Sequence, residues 1–189
     1  PLFLQWVPLG PLGVYIFFAI SGYLVSQSFV SQQEQTLALQ AELSLRVAEQ
    51  VEYFIGQTKD EMELLINTHD LFELSTEEQQ SVLGRLWTHN GSFEELSLVN
   101  RQGQELSRIS GAGAAAEDEL QNLRGDISFN QPLLVAEPYY SPVAFDEETG
   151  EPLMTISIPI VDLQTGFGAG VLIATVQFKD IWDLIANVP

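Results

Sequence analysis

The side chains with most to offer a ligand are hydroxyls. "PLMTISIPIVD" (152–162) and "GAGVLIATVQF" (168–178) are apolar runs that Thr155, Ser157 and Thr175 interrupt. Successive side chains of a strand point to opposite faces. Leu153, Thr155 and Ser157 therefore share one face, Met154, Ile156 and Ile158 the other, and Thr175 joins Val171 and Ile173. With one of Tyr139 or Tyr140 from "PYYSP", these hydroxyls can converge in a small polar pocket on a sheet. Such a pocket donates and accepts hydrogen bonds without carrying charge, so it suits a small neutral ligand. The competing reading is that the same residues pack and hydrogen-bond locally, and alternation alone does not choose between the two.

Other chemistries have weaker support. The carboxylates of "DEETGE" (146–151) lack the ordered ligand spacing of a calcium loop and read as a solvated hairpin tip. His69 and His89 stand apart near helix ends, without a third metal ligand beside them. No nucleophile-elbow string surrounds a serine. There is no cysteine, which excludes disulfides and thiolate chemistry. No catalytic residue, metal or cofactor is expected, and the chain does not read as an enzyme. Its 26 Asp and Glu against 7 Lys and Arg give a net charge of −19. A field of that sign repels phosphate backbones, so nucleic acid is not an expected partner.

The elements that position these residues follow from periodicity. From Glu34 to Ile66, apolar residues recur at three- and four-residue steps without a proline, which predicts one long amphipathic helix with Gly56 as its weak point. Ser75 to Glu78 is a capping-box signature, predicting a short helix that ends near Trp87 with Leu74, Val82, Leu83 and Leu86 on its apolar side. "FEELSLVNRQGQELSRIS" predicts a hairpin turning at Asn100-Arg101-Gln102-Gly103. The Gly/Ala-rich stretch that follows is expected to be a weakly helical surface excursion. Three consecutive strands then come from "YYSPVAF", "PLMTISIPIVD" and "GAGVLIATVQF", joined by "DEETG" and "LQTGFG". "KDIWDLIANVP" closes the chain as the start of an amphipathic helix.

The opening segment is of another kind. No charge precedes Glu34, and Leu9 to Val30 is almost wholly apolar. Roughly 20 residues at about 1.5 Å each cross a hydrocarbon core. A cleaved signal peptide would show a basic start and a shorter apolar core. The reading is an uncleaved single-span anchor in the inner membrane, with residues 9–30 in the bilayer and the acidic remainder on the extracytoplasmic, periplasmic side. "GVYIFFAISGYLVSQS" also resembles a membrane segment of the acyltransferase-3 family, over about a tenth of the chain. The catalytic His of that family lies upstream of the string, and no His precedes it here, so no acyl transfer is implied.

The order of elements, with "LSLVNRQGQELSRIS", "YYSPVAFDEETGEPLMTISIPIVD" and "GAGVLIATVQFKDIWDLI", resembles the Cache family of extracytoplasmic sensor domains. The resemblance implies an α+β fold: an N-terminal transmembrane helix (1–33), a long amphipathic helix (34–68) and a PAS-like five-stranded antiparallel sheet within a Cache-like domain (69–189). It further implies the membrane-distal module of a double Cache sensor, without an output domain in these residues. Amino-acid-sensing members carry an Arg-x-Trp-Tyr stretch, a Tyr before an Asp-x-x-Thr-Gly turn, and an Asp in the last strand. Asp146, Thr149 and Gly150 match the turn, but no Arg-x-Trp-Tyr precedes "PYYSP", Ala144 holds the Tyr position and Thr175 the Asp position. A free α-amino acid is therefore not the expected ligand. The alternative function is that of an accessory subunit, whose Cache-like domain docks on a membrane protein partner or a second copy without any ligand.

Overall fold

The computed structural model describes residues 35–147, 149–162 and 165–178. The proposed membrane span, its acyltransferase-like string and the closing "KDIWDLIANVP" helix lie outside the described residues. Among the described residues no helix is long and apolar enough to cross a membrane.

Helix α1 runs unbroken over Gln35–Thr68, as its periodicity predicts. The chain forms two compact units that divide between Ile55 and Gly56, within this helix. In the first unit Val47, Val51 and Ile55 are buried at four-residue spacing, the stripe expected of an amphipathic helix. In the second, Thr58 and Met62 have no accessible surface. Helix α2 spans Thr76–His89 and opens on the expected capping box: the Ser75 hydroxyl accepts from the Glu78 amide, and the Glu78 carboxylate accepts from the Ser75 amide at 2.9 Å. That bonding holds the Glu78 carboxyl below its ordinary pKa. Leu83 and Leu86 form its buried side.

Among the described residues the sheet is antiparallel and seven-stranded: β1 (Phe93–Asn100), β2 (Glu105–Ser110), β3 (Gly113–Ala114), β4 (Tyr139–Tyr140), β5 (Ala144–Phe145), β6 (Pro152–Val161) and β7 (Gly168–Gln177). Their order is β3-β2-β1-β7-β6-β4, with β5 also paired to β6. The expectation of five strands needs two corrections. "YYSPVAF" is not one strand but two short ones, β4 and β5, on the same edge of β6. The break falls at Pro142, which has no amide to give a ladder. Ser141 keeps the edge attached through its amide to the Thr155 carbonyl and through its hydroxyl, which accepts from the Thr155 amide at 2.8 Å. The second correction is β3, a two-residue strand added to β2 within the excursion. The three C-terminal segments do pair consecutively.

The β1–β2 hairpin turns where the sequence placed it. Gly103 has φ +85°, and its amide donates to the Asn100 carbonyl. The Asn100 side-chain oxygen accepts from the Gln102 and Gln104 amides. A Cβ at Gly103 would also stand 2.8 Å from the Arg124 backbone, so glycine lets the excursion fold back on the turn. The β5–β6 and β6–β7 turns share one form, Asp-x-x-Thr-Gly. In each, the glycine amide bonds back to the Asp carbonyl and the Thr hydroxyl donates to the Asp carboxylate. Asp146, Thr149 and Gly150 are thus explained as turn makers.

The two faces of the sheet differ. One carries Leu96, Leu98, Met154, Ile156, Ile158, Leu172, Ala174 and Val176, all buried, as expected for Met154, Ile156 and Ile158. We call it the apolar face. Helix α2 packs against β2 and β1, and the Asn90 amide group behind it donates to Glu61 of α1 at 2.8 Å. The opposite, polar face carries Glu95, Ser97, Arg108, Thr155, Ser157 and Thr175 by the same registers.

Candidate functional site

The registers decide which candidates meet. Thr155 stands directly across from Thr175, and Ser157 from Ile173. Tyr139 pairs with Ser157, on the other side of β6. Thr155, Ser157, Thr175 and Tyr139 therefore occupy one patch of the polar face. Tyr140 pairs with Ile156 and belongs to the apolar face. Its surroundings agree: burial raises the Tyr140 pKa, Lys59 of α1 opposes that, and Glu63 and Asp60 add to it. Lys59 is itself held above its ordinary pKa, first by its hydrogen bond to Glu63. Tyr140 thus looks toward α1, away from the hydroxyl patch.

Helix α3 (Ile127–Val135) covers part of the polar face, and sequence reasoning saw it only as weak helicity. Asp126 caps it by accepting from the Ser128 amide at 2.8 Å. Its Phe129 is buried with Val99, Val171 and Ile173, and Leu123 and Leu133 pack against that cluster. A Cβ on Gly168 would strike Leu133, so the glycine permits the helix to sit this close. Helix α3 also packs on β6. Ser157 is fully buried, and its hydroxyl has no hydrogen-bond partner. A buried hydroxyl without a partner costs stability, and Ser107 on the other face shares that condition.

Sequence reasoning missed the charged groups of the same face. Glu95 pairs directly with Thr175, so the row across β6, β7 and β1 reads Thr155, Thr175, Glu95. Ser97, one step along, donates its hydroxyl to the Glu105 carboxylate at 2.8 Å. Glu105 is 3% exposed. Its other oxygen accepts from the Gln121 amide at 2.7 Å and lies 3.5 Å from an Arg108 Nη1. Arg108 also donates to the Glu119 carbonyl at 2.8 Å. These contacts strap the excursion to the sheet beside α3. Arg108 reaches Glu95 only through Nε, at 3.9 Å. Burial raises the Glu95 pKa; Arg108 opposes the rise, while Glu105 and Glu94 add to it. The period of two puts Glu95 with Ser97 in the sequence, but β1 and β7 are about 75 residues apart, by the numbers of their paired residues, and no local signal gives that pairing.

Among the described residues no group of three or more His, Asp or Glu could hold a metal ion. No protein-family model matches the chain, and no curated protein matches it either. Solved structures do. The sensory domain of the Campylobacter jejuni chemoreceptor Tlp3, with isoleucine bound, has a TM-score of 0.64 at 15% identity, over 96% of this chain and 69% of that one. The ligand-binding domain of the Pseudomonas aeruginosa amino acid chemoreceptor PctC, in complex with GABA, gives 0.65 at 14%, over 81% and 66%. The extracellular domain of vpHK1S-Z8, assigned as a histidine kinase, gives 0.62 at 13%, over 82% and 64%. The fold is shared with these three domains, in keeping with the fold that the Cache resemblance implies. The chain spans about two thirds of the length of each of these domains. Within this fold, the hydroxyl patch and the Thr155–Thr175–Glu95 row lie on the sheet face that α3 and the strapped excursion partly cover.

Proposed function

We propose that the chain is the input module of a membrane-anchored sensor, held by residues 9–30 with its Cache-type domain on the extracytoplasmic side, and that it binds a small molecule on the polar face of its sheet. Thr155, Ser157, Thr175 and Tyr139 contribute hydroxyls to that site. The observation that carries the reading is the fully buried, unpartnered Ser157 hydroxyl beneath α3, in a fold shared with domains crystallised with isoleucine and with GABA. Domains of that fold are sensory, and sensing requires no bond-making group. A ligand moves such a module only by binding one of its states more tightly than the other.

The absent Arg-x-Trp-Tyr stretch and the Ala144 and Thr175 substitutions argue against a free α-amino acid. Two measurements test the reading. Protease added to spheroplasts should cleave the domain, and a protected domain would overturn the topology. A thermal-shift screen of amines, sugars, organic acids and amino acids on the full chain should return a saturable shift that Ser157→Ala or Thr175→Val weakens. A specific shift with an α-amino acid would overturn the ligand reading. No shift with any compound would favour the accessory-subunit alternative, which requires only a folded surface and an anchor.

A further inference from the structure

The charge on the polar face is unbalanced. Arg108 is the one Lys or Arg on the described strands, and it stands among two carboxylates, Glu95 and Glu105. Its fork is spent on Glu105 and the Glu119 carbonyl, and only its Nε approaches Glu95, at 3.9 Å. The cluster therefore holds one more negative than positive charge on a partly buried face. Glu95 lies directly across from Thr175, so its carboxylate borders the hydroxyl patch. Thr155 completes the row from the other side. Independently, the orphan Ser157 hydroxyl faces the same side of the sheet one step along β6, about 7 Å from the row by the strand rise.

We propose that the Thr155–Thr175–Glu95 row binds the ammonium group of a small primary amine that carries no carboxylate, and that Ser157 meets a second, neutral polar atom of the same ligand. This rests on the sensor reading above and names its ligand class. Glu95 supplies the countercharge, and an ammonium group brings the cluster to neutrality. Its three donors suit the Glu95 carboxylate and the Thr155 and Thr175 hydroxyl oxygens. A ligand carboxylate has no cation to meet on these strands, because Arg108 is already engaged. The net charge of −19 draws cations toward the whole domain. A carboxylate that β7 lacks is thus provided from the neighbouring strand.

A four-carbon series that differs only in its end groups tests this by calorimetry on the full chain in nanodiscs: 4-aminobutan-1-ol, n-butylamine, butane-1,4-diol and γ-aminobutyrate. The expected result is saturable binding of the two amines, with the diol and γ-aminobutyrate at least tenfold weaker. Glu95→Gln should weaken both amines at least tenfold. Adding Thr175→Asp to Glu95→Gln should restore binding, because a carboxylate returns to the row from β7. Ser157→Ala should weaken the amino alcohol several-fold and leave n-butylamine unchanged. Unfolding midpoints of each variant at or above the parent's show that the fold is intact. Equal binding of diol and amine, or amine binding that Glu95→Gln leaves unchanged, would overturn the assignment of the ammonium site. If the wider thermal-shift screen returns a neutral or zwitterionic ligand and no amine, this proposal fails and the sensor reading stands. If no compound binds, both fail.

Discussion

The two faces of the sheet are built from the same strands and bury different things. On the apolar face Leu96, Leu98, Ile156, Leu172, Ala174 and Val176 have no accessible surface, and Ser107 is the exception among them. On the polar face Ser157 has no accessible surface, and Ser97 and Glu105 are each 3% exposed. Burying a polar group is unfavourable unless it is hydrogen-bonded. Ser97 and Glu105 satisfy each other, whereas Ser157 is left unpaired and Glu95 is only loosely held. The contrast teaches where each kind of free energy resides. The apolar face contributes mainly buried hydrocarbon, and the polar face contributes a hydrogen-bonded carboxylate network beside an unpartnered Ser157.

The largest expected effect breaks the apolar face. Leu172 lies at the centre of the sheet, paired with Leu98 on one side and Ile158 on the other. Leu172→Ala should cost about 2–5 kcal/mol, the transfer term plus a cavity, read as a lower midpoint in urea unfolding. Thr175→Val, on the same strand but the polar face, should stay within about 1 kcal/mol by the same measurement. If the two costs were equal, the division of labour between the faces would be wrong.

The next effect concerns the buried carboxylate. Glu105→Ala removes the acceptor of the Ser97 hydroxyl and the Gln121 amide and leaves Arg108 short of a partner. Losing one member of a buried ionic pair should cost about 3 kcal/mol. The loss should be local as well as global. The Gln121 amide should exchange faster in hydrogen-exchange measurements than amides of β6 and β7, because the strap on the excursion goes first. Uniform loss of protection would show that Glu105 supports the whole sheet and not the strap.

What the sequence shows divides along the same line. Period-two alternation gave the apolar face correctly, because Met154, Ile156 and Ile158 need only their own strand to be read. The long helix, the Ser75 capping box and the Asn100–Gly103 turn were equally local. The polar face depends on partners far away in the chain. Thr155 meets Thr175 across one hairpin and was within reach of inference. Glu95 meets Thr175 only because β1 pairs with β7. Tyr139 and Tyr140 could not be told apart until the register of β4 on β6 set one against Ser157 and the other against Ile156. The break at Pro142 was written in the sequence, since proline seldom occupies the interior of a strand.

A smaller effect sharpens the comparison with one substitution on each face. The hydroxyls of Ser107 and Ser157 are both buried without a partner. Ser107→Ala and Ser157→Ala should each stabilise the domain by about 1 kcal/mol, since alanine removes an unmatched polar group. Their effects on ligand binding should differ. Ser107 faces the apolar side, opposite Leu98, and its loss should leave binding unchanged. Ser157→Ala should weaken it. Equal effects on binding would assign Ser157 to the core alone.

The smallest effect is a pH dependence at Glu95. Its carboxyl is raised above the ordinary value of 4.5, first by burial and only partly countered by Arg108. The folded protein therefore holds this proton more tightly than the unfolded chain does, and stability falls as protons leave. The contribution is fully present below the ordinary value and is lost as pH rises through the raised one. Glu95→Gln cannot titrate, so it should be more stable than the parent at neutral pH. The gap should close as pH falls from the raised value toward 4.5. Because the side chain is 42% exposed, solvent screening keeps the effect small. A series of urea midpoints on parent and variant across that range is the measurement. A gap of the opposite sign at neutral pH would mean that Arg108 stabilises the Glu95 carboxylate more than burial disfavours it. The charge of the polar face would then be balanced within the fold, and no cation would be needed to complete it.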